Sequence, residues 1–471
     1  MNLKTRFFTL VYAALFPHFL FSKRSFFKIS IKVWFDSKKR SAVFFDLDGT
    51  LWVDQGPGGI LNYKEHLISS FDILDSSKLR KQLRFGISNQ TLFAHKSQLN
   101  FRTYFAYRRA LREVMNHFHF DAVSLCNHHP EAQNPYLRRN CLYRKPNPLS
   151  ILKLAEYFKV SKSESLLIGD RITDIVAGNE AGIGRNLLLQ NDRAFEKNRM
   201  GMHSIPEKNF AFQFIDNLNQ INKVFLPGNL STLFLCAGKG TRLSPLTSMT
   251  PKPLLMLDRN TSILSRLINQ ISILFPDSQI NINISHLPEA FVNHPSLKLF
   301  LGELGFLWEE FPLGSGETVR NVFDIYGSSL LVINGDMLLS NSDIEIFKDV
   351  LNQDPNTSVM ACHYREVTSA RSRVGVRGRY ITSFTEGRPV QTIDKQQVLV
   401  NSGIYFFARK DLTLYLENKQ AHNPDLTQGL IPFLINQNLL SFHVWSDNRV
   451  AIDSHESLAR AREKIGGLHF N

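Results

Sequence analysis

Short runs of consecutive apolar residues, each closed by small polar or acidic residues, recur along the chain. Ser41–Phe45 is the first, and it stops at Asp46-Leu47-Asp48-Gly49-Thr50. Arg84–Gln90 reads as a second strand ending in Ser88-Asn89, and Ser165–Ile168 as a third ending in Gly169-Asp170. The pattern returns at Thr232–Cys236, Ser329–Ile333, Val398–Val400 and Val450–Asp453. Unalternated apolar runs of this length are those of strands buried on both faces, as in parallel sheets. Between them lie stretches with helical spacing, such as the one that begins at Leu149. Strands alternating with helices predict an α/β protein whose functional residues gather at the carboxyl edges of its sheets. Gln190–Ser231 is polar and contains Pro206 and Pro227-Gly228-Asn229, which predicts a domain boundary near residue 227.

Length and composition agree. A chain of 471 residues exceeds one ordinary core, and 43% hydrophobic with 21% charged residues is a soluble globular balance. The net charge of +13 raises the question of nucleic acid, but residues 1–40 hold nine Lys and Arg against Asp36 alone. Eight of the thirteen charges therefore sit in that tail, and the rest of the chain lacks the basic face a nucleic acid would need. The tail also carries a fifteen-residue apolar run, Phe7 to Phe21, flanked by Lys4/Arg6 and Lys23/Arg24. It is short for a membrane span, which takes about 20 residues. Small residues of a signal-peptide cleavage site do not follow it. Residues 1–40 are expected to be a basic, aromatic extension that packs on the first domain, lacks order or touches an anionic membrane surface. Four scattered cysteines (Cys126, Cys141, Cys236, Cys362) make no disulfide framework and point to a reducing, cytoplasmic setting.

Asp46 and Asp48, at i and i+2 on a strand end, face one crevice. Such a pair can hold Mg²⁺, or one carboxylate can attack phosphorus while the other manages a proton. D-x-D-G-T alone is equally the pattern of a plain turn or a calcium-like loop. Ser88-Asn89, Lys145 in Arg144-Lys145-Pro146, and Gly169-Asp170 with Asp174 complete a four-part set. Over residues 41–190 this set resembles the haloacid-dehalogenase superfamily. The resemblance implies that Asp46 is a nucleophile forming an aspartyl-phosphate and Asp48 a general acid/base. It further implies that Ser88, Asn89 and Lys145 hold the transferring phosphate, and that Mg²⁺ is bound by the acidic set Asp46, Asp48, Asp170 and Asp174. Cys126-Asn127-His128 followed by Cys141-Leu142-Tyr143 resembles the zinc loop of the D-glycero-D-manno-heptose 1,7-bisphosphate phosphatases and their histidinol-phosphatase relatives. That loop offers Cys-x-His and then Cys-x-Cys, and here Tyr143 stands in the fourth position. A Zn²⁺ on Cys126, His128 and Cys141 and a metal-free loop held by packing are both compatible with this. Arg144 matches the family and is expected at the sugar or its second phosphate, whereas Thr91–Lys96 departs from it.

In the second half, Thr232–Cys236 runs into Ala237-Gly238-Lys239-Gly240-Thr241-Arg242-Leu243, then Pro251-Lys252-Pro253. Glycines after a first strand let backbone N–H groups approach phosphates, with Arg242 and Lys252 supplying positive charge. The run resembles the signature of the sugar-1-phosphate nucleotidyltransferases. The resemblance makes Ala237, Gly238, Gly240, Thr241, Arg242 and Lys252 the nucleotide-binding set. Arg242 and Lys252 are also catalytic, Asn401 and Gly403 contact the sugar, and Asp336 and Asp453 hold Mg²⁺. Arg388 is expected near the sugar phosphate, and Leu313–Glu317 resembles the glycine-rich loop beside the base.

The expected fold class is α/β in two domains. A haloacid-dehalogenase-like Rossmannoid phosphatase (41–226) is followed by a Rossmann-like, GT-A-like nucleotidyltransferase (227–471). A phosphatase that trims a heptose 1,7-bisphosphate would supply a sugar 1-phosphate to such a transferase. Expected partners are sugar phosphates and a nucleoside triphosphate, GTP by resemblance to the D-glycero-α-D-manno-heptose 1-phosphate guanylyltransferases, with no nucleic acid. Mannose 1-phosphate or an amino-sugar 1-phosphate, with a histidinol-phosphatase-like first domain or a regulatory one without turnover, are the alternatives.

Overall fold

The computed structural model describes residues 40–54, 59–67, 82–89, 101–135, 137–189, 209–215, 217–218, 221, 229–366, 372–387, 397–418, 423–446 and 449–466, with backbone only at 19–21 and 101–104. Arg388, the loop 90–96, the expected boundary near 227 and all of the tail except Phe19–Phe21 and Arg40 lie outside these residues. The chain divides into two compact units, 1–225 and 226–471. Among the described residues no helix is long and apolar enough to cross a membrane.

The first unit is built on strands β1 (Phe19–Phe21), β2 (Ala42–Asp46), β3 (Leu83–Ser88), β4 (Ala122–Leu125), β5 (Leu166–Gly169), β6 (Arg185–Leu189) and β7 (Phe210–Ile215). Their order is β1-β4-β3-β2-β5-β6-β7. All neighbours are parallel except β1, a piece of the tail that pairs antiparallel with β4 at the edge. Helices α1 (Phe101–His117), α2 (Leu149–Tyr157) and α3 (Ile172–Ala181) connect the strands. All five residues of β2 are buried, as a doubly covered strand requires. Phe44 turns to one face, 5.1 Å from Phe85, which meets Phe158 at 4.8 Å beyond α2. Phe45 turns to the other, 5.9 Å from Phe120, in a cluster with Trp52, Tyr63 and Phe118. From β2 the chain builds outward through β3 and β4, then returns to add β5 on the other side. A crevice therefore opens at the carboxyl ends of β2 and β5, where the direction reverses.

The second unit has β8 (Leu230–Leu235), β9 (Gln279–Ile284), β10 (Leu304–Trp308), β11 (Ser329–Asn334), β12 (Met337–Leu338), β13 (Ser358–Glu366), β14 (Ser372–Arg377), β15 (Tyr380–Glu386), β16 (Gln397–Phe407), β17 (Leu440–Val444) and β18 (Val450–Ala451). The order is β10-β9-β8-β11-β16-β13-β17-β15-β14, with β12 and β18 forming a separate antiparallel ribbon. β10, β9, β8 and β11 are mutually parallel, and β16 is antiparallel to β11. The reversal here lies between β8 and β11, so the residues after these two strands share one crevice.

Phe44 is fully buried at the centre of the first sheet. Phe44→Ala is expected to lower the stability of the first unit by about 3–5 kcal/mol. Urea unfolding of the full chain checks this; a loss under about 1 kcal/mol would contradict the packing described.

Candidate functional site

Asp46 is the last residue of β2, Ser88 the last of β3, and Asp170 follows β5 directly. Asp174 enters from the first turn of α3, where one carboxylate oxygen accepts the Arg171 N–H at 3.0 Å. That position suits a carboxylate, since it faces unpaired amides and the positive end of the helix dipole. Lys145 arrives on the segment before α2 and contacts the carboxylates of both Asp46 and Asp174. Its backbone is held by Asn89, whose amide accepts from Lys145 N at 3.2 Å and donates to Lys145 O at 3.4 Å. Gly49 turns with φ +92°, and a Cβ there would run into the Asp170 carboxylate. No other residue lets this turn lie against Asp170.

Asp46, Asp170 and Asp174 are buried, and their carboxylate oxygens lie within 4.8 Å of one another. Burial raises Asp46 well above the usual carboxylate range, against the pull of Lys145. Asp170 is pushed up to about 7, by burial first and by Asp174 next. Burial works to lower the Lys145 ammonium, but Asp174 and Asp46 outweigh it and keep the lysine charged. Three carboxylates facing one ammonium leave an excess of buried negative charge on hard oxygen donors. Such a set fits Mg²⁺.

Asp48, also expected in the metal-binding set, is not among these three gathered carboxylates and has partners of its own. Its carboxylate accepts from Ser88 Oγ at 2.9 Å and from Trp52 Nε1 at 3.0 Å. Burial raises it above its ordinary value. The strand end thus places a carboxyl that burial favours in its protonated form beside a carboxylate of the metal-suited cluster. Trp52 and the Asn89–Lys145 backbone exchange were not anticipated from the sequence.

Cys126, His128 and Cys141 do come together, with their ligand atoms within 4.8 Å. Arg139 Nη2 lies 2.5 Å from His128 Nε2. A guanidinium only donates, so Nε2 accepts and the ring proton sits on Nδ1, which faces Cys126 Sγ at 3.8 Å. Both ring nitrogens are engaged in this arrangement. Burial, opposed by a backbone bond at His128, pushes the Cys126 thiol up to about 12. Arg144 donates to the His128 carbonyl at 3.1 Å, and Tyr143 accepts at its carbonyl from Ser150 Oγ at 2.9 Å. Three ligand atoms without a fourth form an open set, and hydrogen bonds hold the loop around them.

In the second unit a cavity of about 260 Å³ is lined by Cys236, Gly238, Gly240, Thr241, Arg242, Lys252, Asn334, Asp336 and Asp453. Ala237 is buried beside it. Lys252 Nζ meets Asp336 Oδ2 at 2.6 Å, and Arg242 Nη1 meets Asp453 Oδ2 at 2.9 Å. Asp453 reaches the cavity because β18 pairs with β12, and Ile452 N donates to the Asp336 carbonyl at 2.9 Å. Two carboxylates from one ribbon, each with a cation, form a charged wall able to take a metal–triphosphate. Asn401 is engaged within its own strand. Its Oδ1 accepts from Gly403 N at 2.8 Å, and its Nδ2 donates to Tyr405 OH at 2.6 Å. At the end of β10, buried Glu309 accepts from Thr318 Oγ1 at 2.5 Å and from Leu313 N at 3.2 Å, tying down the loop through Gly314.

A HAD-hydrolase-like family model matches residues 142–197, and a Nucleotidyl transferase model matches residues 231–464. The D-glycero-beta-D-manno-heptose-1,7-bisphosphate 7-phosphatase of Helicobacter pylori is 30% identical over 157 residues, which cover 31% of this chain and 83% of that enzyme. The enzyme of the same description from Escherichia coli K12 is 27% identical over 166 residues, covering 33% of this chain and 81% of the other. Among solved structures, a Bacillus anthracis chain described as a glucose-1-phosphate thymidylyltransferase, in complex with sucrose, aligns with 51% of this chain and 97% of its own at 18% identity and a TM-score of 0.43.

Filling the first site with Mg²⁺ should stabilise the folded chain, by about 2.7 kcal/mol when the free ion is near a hundred times its Kd. Thermal unfolding with and without Mg²⁺ measures the shift. Asp170→Asn should shrink it, and an equal shift in wild type and variant would place the ion elsewhere.

Proposed function

The chain belongs to the haloacid-dehalogenase-like phosphatases through its first unit and carries a nucleotidyl transferase domain in its second, and from that premise we propose a bifunctional enzyme of nucleotide-activated heptose synthesis. In this reading residues 41–226 remove the 7-phosphate of a D-glycero-D-manno-heptose 1,7-bisphosphate. Residues 227–471 then join the remaining 1-phosphate to a nucleotide, GMP from GTP. The four free cysteines support a cytoplasmic setting.

In the first step an Asp46 oxygen attacks phosphorus and the ester bond to the sugar O7 breaks. Asp48, raised by burial, gives its proton to the departing oxygen. Water then attacks the aspartyl-phosphate, Asp48 takes back a proton, and phosphate leaves. Lys145, Ser88 and Asn89 border the transferring group, and Lys145 favours the ionised form of Asp46. Mg²⁺ on Asp46 and Asp170, when bound, supplies charge stabilisation to the phosphoryl oxygens. In the second step an oxygen of the sugar 1-phosphate attacks the α-phosphorus of the triphosphate, and pyrophosphate leaves. Arg242 and Lys252 offset the charge that develops, and the acceptor is already an anion, so no strong base is needed.

The observation that carries this reading is the buried Asp46–Lys145–Asp174 cluster in a unit 30% identical to a heptose-bisphosphate phosphatase, on one chain with the Lys252–Asp336 cavity. The product of the first reaction is the substrate class of the second. The curated relatives are named for the β anomer. The transferase type that resembles the second unit is named for the α anomer, so both anomers belong in the test.

Wild-type protein incubated with Mg²⁺, GTP and each anomer of the bisphosphate should release equal amounts of phosphate and pyrophosphate and form GDP-heptose. Parallel reactions with ATP, UTP and CTP, and with mannose 1-phosphate or N-acetylglucosamine 1-phosphate, define the specificity. Product only from one of these other pairs, with none from heptose, contradicts the assignment.

A further inference from the structure

Strand β16 contains two residues more than its partner β13 at one point. Met360 pairs with Tyr405 and Cys362 with Asn401, so three residues, Ser402, Gly403 and Ile404, stand against Ala361 alone and the strand bulges at Ser402–Gly403, where the backbone turns to positive φ. Gly403 has φ +74°, and a Cβ there would lie 2.5 Å from Asn334 Nδ2. The bulge thus presses on the carboxyl end of β11, two residues before Asp336. Bulges of this kind cluster beside active sites because they re-aim the backbone.

The bulge is held from several directions. Asn401 caps it through Gly403 N. His363, on β13, is 2% exposed and meets Ser402 Oγ at 3.0 Å through Nδ1. Arg449 donates to the Ser402 carbonyl at 3.1 Å and to His363 Nε2 at 2.7 Å. Because the guanidinium can only donate, His363 Nε2 accepts and Nδ1–H donates to Ser402. Burial, and then Arg449, pull the His363 imidazole down to about 3, so the ring stays neutral and this polarity is kept. Arg449 also lies 3.7 Å from Met337 Sδ in β12. It directly precedes β18, which pairs with β12 and leads to Asp453. One guanidinium therefore ties the bulge to the ribbon that presents Asp336 and Asp453.

We propose that Arg449 and His363 are positioning residues for nucleotidyl transfer, setting the distance between the Ser402–Gly403 bulge, against which the sugar 1-phosphate lies, and the Asp336/Asp453 pair that faces the triphosphate. The inference rests on the transferase reading of the second unit. Neither side chain lines the cavity between Lys252 and Asp453. Their effect arises because in-line attack tolerates little misplacement: a shift of about 1 Å can cost on the order of a hundredfold in rate. Arg449→Lys keeps the charge but not the two-pronged geometry, so it should not substitute.

The test is steady-state transfer with both substrates varied, in the full chain. Arg449→Lys and His363→Ala are expected to raise KM for the sugar 1-phosphate about tenfold or more and to lower kcat. KM for the triphosphate and phosphate release by the first unit should stay within about twofold of wild type. His363→Asn, which keeps a donor near the Nδ1 position, should recover part of the loss. Triphosphate-induced thermal stabilisation, measured on each variant, reports that the second unit is folded. Unchanged sugar kinetics overturn the proposal. So does an equal loss for both substrates together with lost triphosphate binding, which marks a purely structural pair. A wild-type chain that makes no nucleotide sugar from any pair contradicts the transferase reading itself, and the inference with it.

Discussion

Lys145 lies between Asp46 and Asp174 where little water reaches, and much of the surrounding structure keeps that arrangement in place. At an effective dielectric near 20, two unit charges about 4 Å apart interact by about 4 kcal/mol. Burial raises Asp46 even so, and without the lysine it would be raised further. Asn89 therefore holds the lysine's backbone, Asp174 is seated by the first turn of α3, and Gly49 leaves room for Asp170. The site stays acidic even so, which is the condition for attracting a divalent cation. The second unit repeats the motif in a wetter place. Lys252 is 10% and Asp336 34% exposed at the side chain, and Arg242 is 60% exposed against Asp453. The Arg242–Asp453 pair, the more exposed of the two, is screened and weak.

The strands were legible because burial on both faces leaves an unbroken apolar run. Ser41–Phe45 is observed as Ala42–Asp46 and Ser165–Ile168 as Leu166–Gly169, each shifted by one residue. Residues that end parallel strands must share an edge, so Asp46 and Asp170, and likewise Gly238 and Asp336, could be brought together from sequence alone. What escaped was side-chain direction. Nothing in D-x-D-G-T says that Asp48 turns to Trp52 and Ser88 rather than to the carboxylate cluster. Nothing local links His363 with Arg449, which lie 86 residues apart and meet only after β13, β16 and the ribbon have assembled. The bulge at Ser402–Gly403 was hidden for the same reason, since Val398–Val400 reads as a strand whatever follows it.

The cysteine loop shows how one substitution changes a site without dissolving it. Tyr143 removes a thiolate from the expected set, yet Cys126, His128 and Cys141 still converge. Arg139 and Arg144 now hydrogen-bond to His128. The loop thereby ties Arg144, the neighbour of Lys145 in the chain, to the His128 carbonyl.

The central claim is that one polypeptide first trims a bisphosphate at Asp46 and then activates the product in its second unit. The most direct measurement follows Asp46→Asn by phosphorus NMR with Mg²⁺ and GTP. Supplied with the heptose 1,7-bisphosphate, the variant should yield neither phosphate nor GDP-heptose. Supplied with the heptose 1-phosphate, it should form GDP-heptose at the wild-type rate. Phosphate release from the bisphosphate at the wild-type rate would contradict the account, as would failure of the variant to use the 1-phosphate that wild type consumes.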